Sequence, residues 1–148
     1  MLFPDPLASF VKKVGPHEVE YEPPDLLHVH YEGDVELEHL KVFDAIVEAI
    51  ASTSRAYVLR DARRGGTVRP ETRAHIARSV DMTKIAGMVT YGSSFHARIV
   101  STMLETAMRR LKDTNVEYVY FDSEMEARAW IVKHRQTCRE QGITWKKT

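Results

Sequence analysis

The chain has 148 residues, 43% of them apolar and 28% charged, which suits one folded domain and excludes a disordered or fibrous chain. Cys138 is the only cysteine, so an intramolecular disulfide and a cysteine-rich zinc site are both excluded. The 21 basic and 21 acidic residues cancel, which removes any global pull toward nucleic acid or an anionic membrane.

Residues 1–16 hold Pro4, Pro6, Gly15 and Pro16 and read as an irregular lead-in, with Leu2, Phe3, Phe10 and Val11 free to pack on the body. A strand over His17–Glu22 follows, with Val19 and Tyr21 on one side and Glu18, Glu20 and Glu22 on the other. Pro23-Pro24-Asp25 turns the chain into a second strand over Leu26–Glu32. The short connection predicts an antiparallel hairpin. Asp34 is the expected cap of an amphipathic helix whose stripe is Leu37, Leu40, Phe43, Ile46, Val47 and Ile50.

Arg55–Asp61 reads as a buried strand and residues 62–69 as a loop. Pro70 suits the first position of a helix, where its missing N–H has no partner to lose. Lys84–Tyr91 is the next strand. Gly92-Ser93-Ser94 starts a long helix to about Lys112, whose stripe of Phe95, Ile99, Val100, Met103, Leu104, Ala107, Met108 and Leu111 is expected in the core. Val116–Phe121 is a strand rich in β-formers, and Ser123 with Glu126 forms a capping box for the last helix. Gly142 is the expected stop and 143–148 a tail. The order predicts one α/β domain over 17–142: a mixed, largely parallel sheet of about five strands, an N-terminal antiparallel hairpin and about four helices.

That order resembles the STAS domain, and more narrowly its SpoIIAA-like (STAS/SEC14) branch. The likeness rests on Tyr57-Val58-Leu59-Arg60-Asp61, Pro70-Glu71-Thr72-Arg73, Tyr91-Gly92-Ser93-Ser94-Phe95 and the run from Val119 to Trp130. It implies a non-enzymatic regulatory or binding module. In the classical members a Ser or Thr at the helix start after the third strand is phosphorylated by a partner kinase. The usual Asp-Ser-(Ser/Thr)-Gly run is absent here, and Thr67 and Thr72 are the hydroxyls nearby. The SEC14-like label implies an apolar ligand pocket instead, expected between the sheet and the last two helices.

The charges are segregated. Residues 1–54 carry 3 Lys/Arg and 11 Asp/Glu, and residues 55–148 carry 18 and 10. Arg60, Arg63, Arg64, Arg69 and Arg73 crowd one crossing, where Gly65-Gly66 lets backbone amides converge. Guanidinium groups grip phosphate or carboxylate in two-pronged fashion, and the loop leads into a helix N-terminus. Either this loop is solvated and pairs with the acidic third of the chain, or it is an anion or acidic-partner site together with Gly92, Ser93 and Ser94. Ser94 reads most simply as a helix cap, and no general base accompanies either serine.

His28 and His30 share a strand face at a spacing that can bind zinc, with a third ligand to come from His17, His39, Glu20 or Asp34. No signature selects one, so half-exposed sheet histidines are expected, with no metal and no cofactor. The expected partner is a protein (a kinase or an anti-sigma-like regulator), docked through the Arg-rich loop and the following helix. The alternative is a small anionic or lipid-like ligand, and a serine hydrolase is the least favoured reading. No run approaches the roughly 18–20 apolar residues of a membrane span, and the first fifteen residues lack the order of a secretory signal, so the expectation is cytoplasmic. An unpaired edge strand would favour a homodimer.

Overall fold

A computed structural model describes residues 8–51, 55–79, 82–112 and 116–141. Leu2, Phe3, Gly142 and the 143–148 tail lie outside the described residues, as do the side chains of Leu104, Ala107, Met108 and Leu111. Strands β1 (Phe10–Val14), β2 (His17–Glu22) and β3 (Leu26–His30) form an antiparallel meander. Next come β4 (Gly33–Val35), α1 (Leu37–Ile50), β5 (Ala56–Asp61), β6 (Gly65–Val68) and α2 (Pro70–Ser79). A 3-10 turn (Met82–Lys84), β7 (Ile85–Tyr91), α3 (Phe95–Lys112), β8 (Glu117–Phe121) and α4 (Glu124–Glu140) complete the described chain.

The main sheet has six strands in the order β1-β2-β3-β5-β7-β8, parallel from β3 onward. The expected mixed, largely parallel sheet with an antiparallel hairpin and four helices is therefore present. It is larger than expected. Residues 10–14, read as part of an irregular lead-in, form β1 because Phe10 packs on Tyr21 at 5.6 Å and the strand pairs along all of β2 except Glu22. Gly33–Val35 and Gly65–Val68 form a separate two-stranded parallel ribbon.

Asp34 is not the cap of α1. That place falls to Glu36, whose N–H donates to His39 Nδ1 at 3.2 Å. The Asp34 carboxylate instead accepts from Thr67 N–H (2.8 Å) and Thr67 Oγ1 (3.2 Å), tying the two short strands together.

The pleat divides the side chains between two faces. Val19, Tyr21, Leu27, Val29 and Val58 face α1, where Phe43, Ile46 and Ile50 complete one apolar cluster. Leu26, Tyr57, Leu59, Val89 and Tyr91 face α4 and pack on Ala127, Ile131 and Trp130. Burying each large apolar side chain stabilises by about 1.5–3 kcal/mol. Helix α4 is capped as read: Ser123 Oγ accepts from Glu126 N–H. It is pinned to the β2–β3 turn by a two-pronged bond from Arg135 to Asp25 at 3.1 and 2.5 Å. No helix among the described residues is long and apolar enough to cross a membrane.

Helix α3 departs from its expected stripe. Phe95 is 80% and Met103 69% exposed, and Ile99 and Val100 also reach solvent. The helix is amphipathic as read, but this apolar row points outward.

His17 is fully buried and saturated. Its Nδ1 accepts from Glu32 N–H at 2.9 Å and its Nε2–H donates to Asp34 C=O at 3.1 Å. Those two bonds require the neutral ring. Burial, then the neighbouring His39, hold its pKa below the ordinary histidine value. The unfolded chain therefore binds more protons than the native state below about pH 6.5, so this contribution is intact above that pH and lost as pH falls. Thermal melting should drop as the buffer is taken from neutrality into the acid range. His17→Gln, which keeps one donor and one acceptor, should flatten that slope, and an unchanged slope would exclude His17 as a source.

Candidate functional site

The carboxyl ends of β5 and β7 lie side by side, as ligand sites in parallel sheets require. Gly92 adopts a φ of +76°, which glycine tolerates without strain, and its N–H reaches Phe121 C=O at 3.1 Å. The turn carries Ser93 and Ser94 to the start of α3. Ser94 Oγ accepts from Ala97 N–H at 3.1 Å, so Ser94 is the helix cap. His96 is exposed on the same helix.

A cleft of ≈290 Å³ opens at this rim, lined by Arg60, Arg63, Gly65, Gly66, Thr90, Gly92, Ser93 and Ser94 among others. The fold therefore brings the Arg-rich crossing and the Gly-Ser-Ser junction together. Three buried polar atoms in its wall lack a hydrogen-bond partner among the described residues: Arg60 Nε, Thr90 Oγ1 and Ser93 Oγ. Thr90 is only 5% exposed. Buried groups of this kind cost free energy until something bonds them.

The arginines have separate fates. Arg63 folds back on Asp61, donating from Nε to Oδ1 (3.0 Å) and from Nη2 to Oδ2 (2.8 Å). Arg64 and Arg69 approach Glu32 and Glu36 at 3.7 and 3.6 Å in exposed pairs with the acidic third of the chain. Arg60 turns to the other face of β5, where its Nη2 donates to Glu105 Oε1 at 3.3 Å. Burial works against the Arg60 charge, but Tyr31, Glu105 and Tyr120 outweigh it and hold the guanidinium above its ordinary value. Burial and the Glu105 bond push the Tyr120 phenol up to about 12, so it stays protonated and donates to Glu105 Oε1 at 2.5 Å. Arg73 lies half-buried on α2. Thr67 is exposed at the ribbon, while Thr72 is fully buried, its hydroxyl unpartnered among the described residues.

Beneath the cleft lies an apolar cavity of ≈130 Å³, lined by Leu27, Val29, Phe43, Val47, Val58, Ile76 and Met88, with Arg60 and Glu105 at one wall. Cleft and cavity share Tyr31, Val35, Arg60, Val68 and Ser101. The cavity sits on the α1–α3 side of the sheet. The expected pocket between the sheet and the last two helices does not match this, because the α4 side is filled by Tyr57, Leu59, Ile131 and Trp130.

The α4 face carries a second polar group that sequence reading only half found. His28 is 2% exposed rather than half-exposed, and burial, then the neighbouring His30, lower its pKa to about 4. Its neutral ring accepts from Arg128 Nη2 at Nδ1 (3.2 Å) and donates from Nε2 to Tyr91 Oη (2.8 Å). Tyr91 in turn donates to Glu124 Oε1 at 3.3 Å. His30 Nδ1–H donates to Asp61 Oδ2 at 3.0 Å. Burial raises the Asp61 pKa, but the bonds from Arg63 and His30 overcome this and hold the carboxyl far below the usual range. Arg128 clamps Glu22 with both terminal nitrogens (3.0 and 2.7 Å) and Glu124 with Nε (2.7 Å). The alternation of β3 signalled the two histidines. Asp61, Tyr91, Glu124 and Arg128 join them only through the strand order.

No protein-family model matches the chain. No curated protein matches it by sequence. Among solved structures it is similar to an uncharacterized DUF3478-family protein with a SpoIIAA-like fold from Shewanella loihica PV-4. That likeness has 11% identity and a TM-score of 0.51, over 83% of this chain and 91% of that one. It is also similar to the anti-sigma factor antagonist SpoIIAA in its unphosphorylated form, at 9% identity and a TM-score of 0.49, over 84% and 98% of the two chains. The fold is SpoIIAA-like, of the STAS type, as the sequence motifs implied.

A Cβ on Gly92 would meet Arg63 Cγ at 2.3 Å as well as straining the backbone. Gly92→Ala should therefore cost about 1–3 kcal/mol and displace Arg63 from Asp61. Chemical denaturation measures the loss, and a variant as stable as the parent would refute the close approach.

Proposed function

We propose that the chain is a non-enzymatic STAS-type module that binds a small amphipathic anion in the cleft at the carboxyl rim. The observation that carries this reading is the continuity of two unlike spaces. A polar mouth with three unpartnered buried donors opens onto an apolar cavity through five shared residues. The N-terminus of α3, with its free amides, favours negative charge at the same mouth. The size of the cavity sets the ligand. An apolar cavity of about 150 Å³ holds one six-carbon ring, so a space of ≈130 Å³ fits a short aliphatic or aromatic body and not a diacyl lipid. The acid head would bond Ser93, Thr90 and the unused Nε of Arg60. Isothermal titration with carboxylates from butyrate to laurate, and with benzoate, tests this. Saturable binding should peak near hexanoate or benzoate. Thr90→Val and Ser93→Ala should each weaken it roughly tenfold, as expected for one hydrogen bond to a charged group. No saturable binding by any acid, or binding indifferent to both variants, would overturn the reading.

A second reading, docking of a protein partner on the Arg-rich loop and α2, is favoured by the outer side of the same crossing. Arg64 and Arg69 reach solvent and hold Glu32 and Glu36 only in loose surface pairs. Such pairs are worth about 0–1 kcal/mol, so an acidic partner displaces them at little cost. A kinase acting here would find Thr67 at the surface and Thr72 beneath it. Capture from native lysate should lose its partner when Arg63, Arg64 and Arg69 are changed to Ala, and identical partner sets would count against this surface.

A further inference from the structure

We propose that Glu20, His28 and His30 form a binding site for a divalent cation of the zinc type on the α4 face of the sheet. It lies across the sheet from the apolar cavity and does not depend on the anion reading.

The argument begins with register. Glu20 pairs directly with His28 across β2 and β3, and the alternation of β3 puts His30 on the same side. Glu20 Oε2 lies 3.7 Å from His30 Nε2 and 3.9 Å from His28 Nδ1, and one donor atom from each of the three residues lies within 4.8 Å of the others. In a tetrahedral zinc site, bonds of about 2.0–2.2 Å put neighbouring ligand atoms about 3.3–3.6 Å apart. The two carboxylate–imidazole spacings need to close by only a few tenths of an ångström.

The outer nitrogens are also committed. His30 Nδ1–H is held by Asp61 and His28 Nε2–H by Tyr91, which leaves His30 Nε2 and His28 Nδ1, the nitrogens within 3.7 and 3.9 Å of Glu20 Oε2, without a proton. A carboxylate or hydroxyl behind each ligating imidazole is the arrangement that orients metal-binding histidines. The charge favours a cation: Glu20, Glu22, Asp61 and Glu124 outnumber Arg63 and Arg128 among the groups tied to these rings. Access is open, since His30 and Glu20 are 31% and 42% exposed at the side chain and His30 borders a polar groove.

Arg128 is the one group that must yield, because its Nη2 donates to the His28 nitrogen that would bind the metal. Nη2 also donates to Glu22 Oε2 at 2.7 Å, but the bonds from Nη1 to Glu22 and from Nε to Glu124 do not involve Nη2, so the guanidinium can swing outward while keeping a bond to each carboxylate.

The test uses the full chain, stripped with chelator and titrated with Zn²⁺ by calorimetry and with Co²⁺ by visible absorption. The expected result is one ion per chain and the intense visible bands of four-coordinate cobalt. His30→Ala and Glu20→Gln should each weaken binding by more than the roughly 10–100-fold that losing an outer-shell partner brings; Glu20→Gln should leave the melting temperature near that of the parent, whereas His30→Ala also removes a donor from Asp61 and should lower it. Arg128→Gln should strengthen binding. Absence of stoichiometric binding, binding that survives both His30→Ala and Glu20→Gln, or weaker binding in Arg128→Gln would overturn the proposal.

Discussion

The Asp61 carboxylate is the point on which the rest of the molecule turns. It sits at the last position of β5, nearly buried, and accepts three bonds from Arg63 and one from His30. A buried carboxylate is tolerable only when so satisfied. The bonds it accepts do more than solvate it. They draw Arg63 back over the Gly92 turn, which shapes the mouth of the cleft, and they fix the ring of His30. One desolvated charge thus organises the rim and the α4 face together.

The two faces of the sheet solve different problems. On the α1–α3 face, Arg60 and Glu105 form a buried ion pair against an incompletely filled apolar space. On the α4 face the core is filled, and the polar groups gather between β2, β3 and the first turns of α4, which supply Glu124 and Arg128. The outward apolar row of α3 fits this division. That helix lends Ser101 and Glu105 to the cavity wall and keeps Phe95 and Met103 for the outside.

Much of the architecture was legible in the chain. Hydrophobic alternation located β2 and β3, buried apolar runs located β5 and β7, β-forming residues located β8, and Pro70, Ser94 and Ser123 marked the three later helix starts. What escaped had physical reasons. β1 carries Lys12 and Lys13 and follows a proline-rich stretch, so its strand character comes from pairing with β2 rather than from its own composition. β4 and β6 are too short and glycine-rich to show any period. Periodicity identified α3 as amphipathic but could not say which apolar side chains meet the sheet. At the site, the hairpin register already implied that Glu20 stands opposite His28, a signal that was present and not used. The approach of Tyr91, Glu124 and Arg128 depended on strand order, which no local pattern encodes.

Adjacent residues on β5 serve opposite sides of the molecule: Arg60 faces the cavity and Asp61 the histidines. A strand offers this economy because its side chains alternate. It also makes β5 intolerant of insertion or deletion. One added residue would send the carboxylate into the apolar chamber and the guanidinium among the imidazoles, abolishing both environments at once. Length variation in homologous chains should therefore fall in the connections on either side of β5 and spare the strand itself.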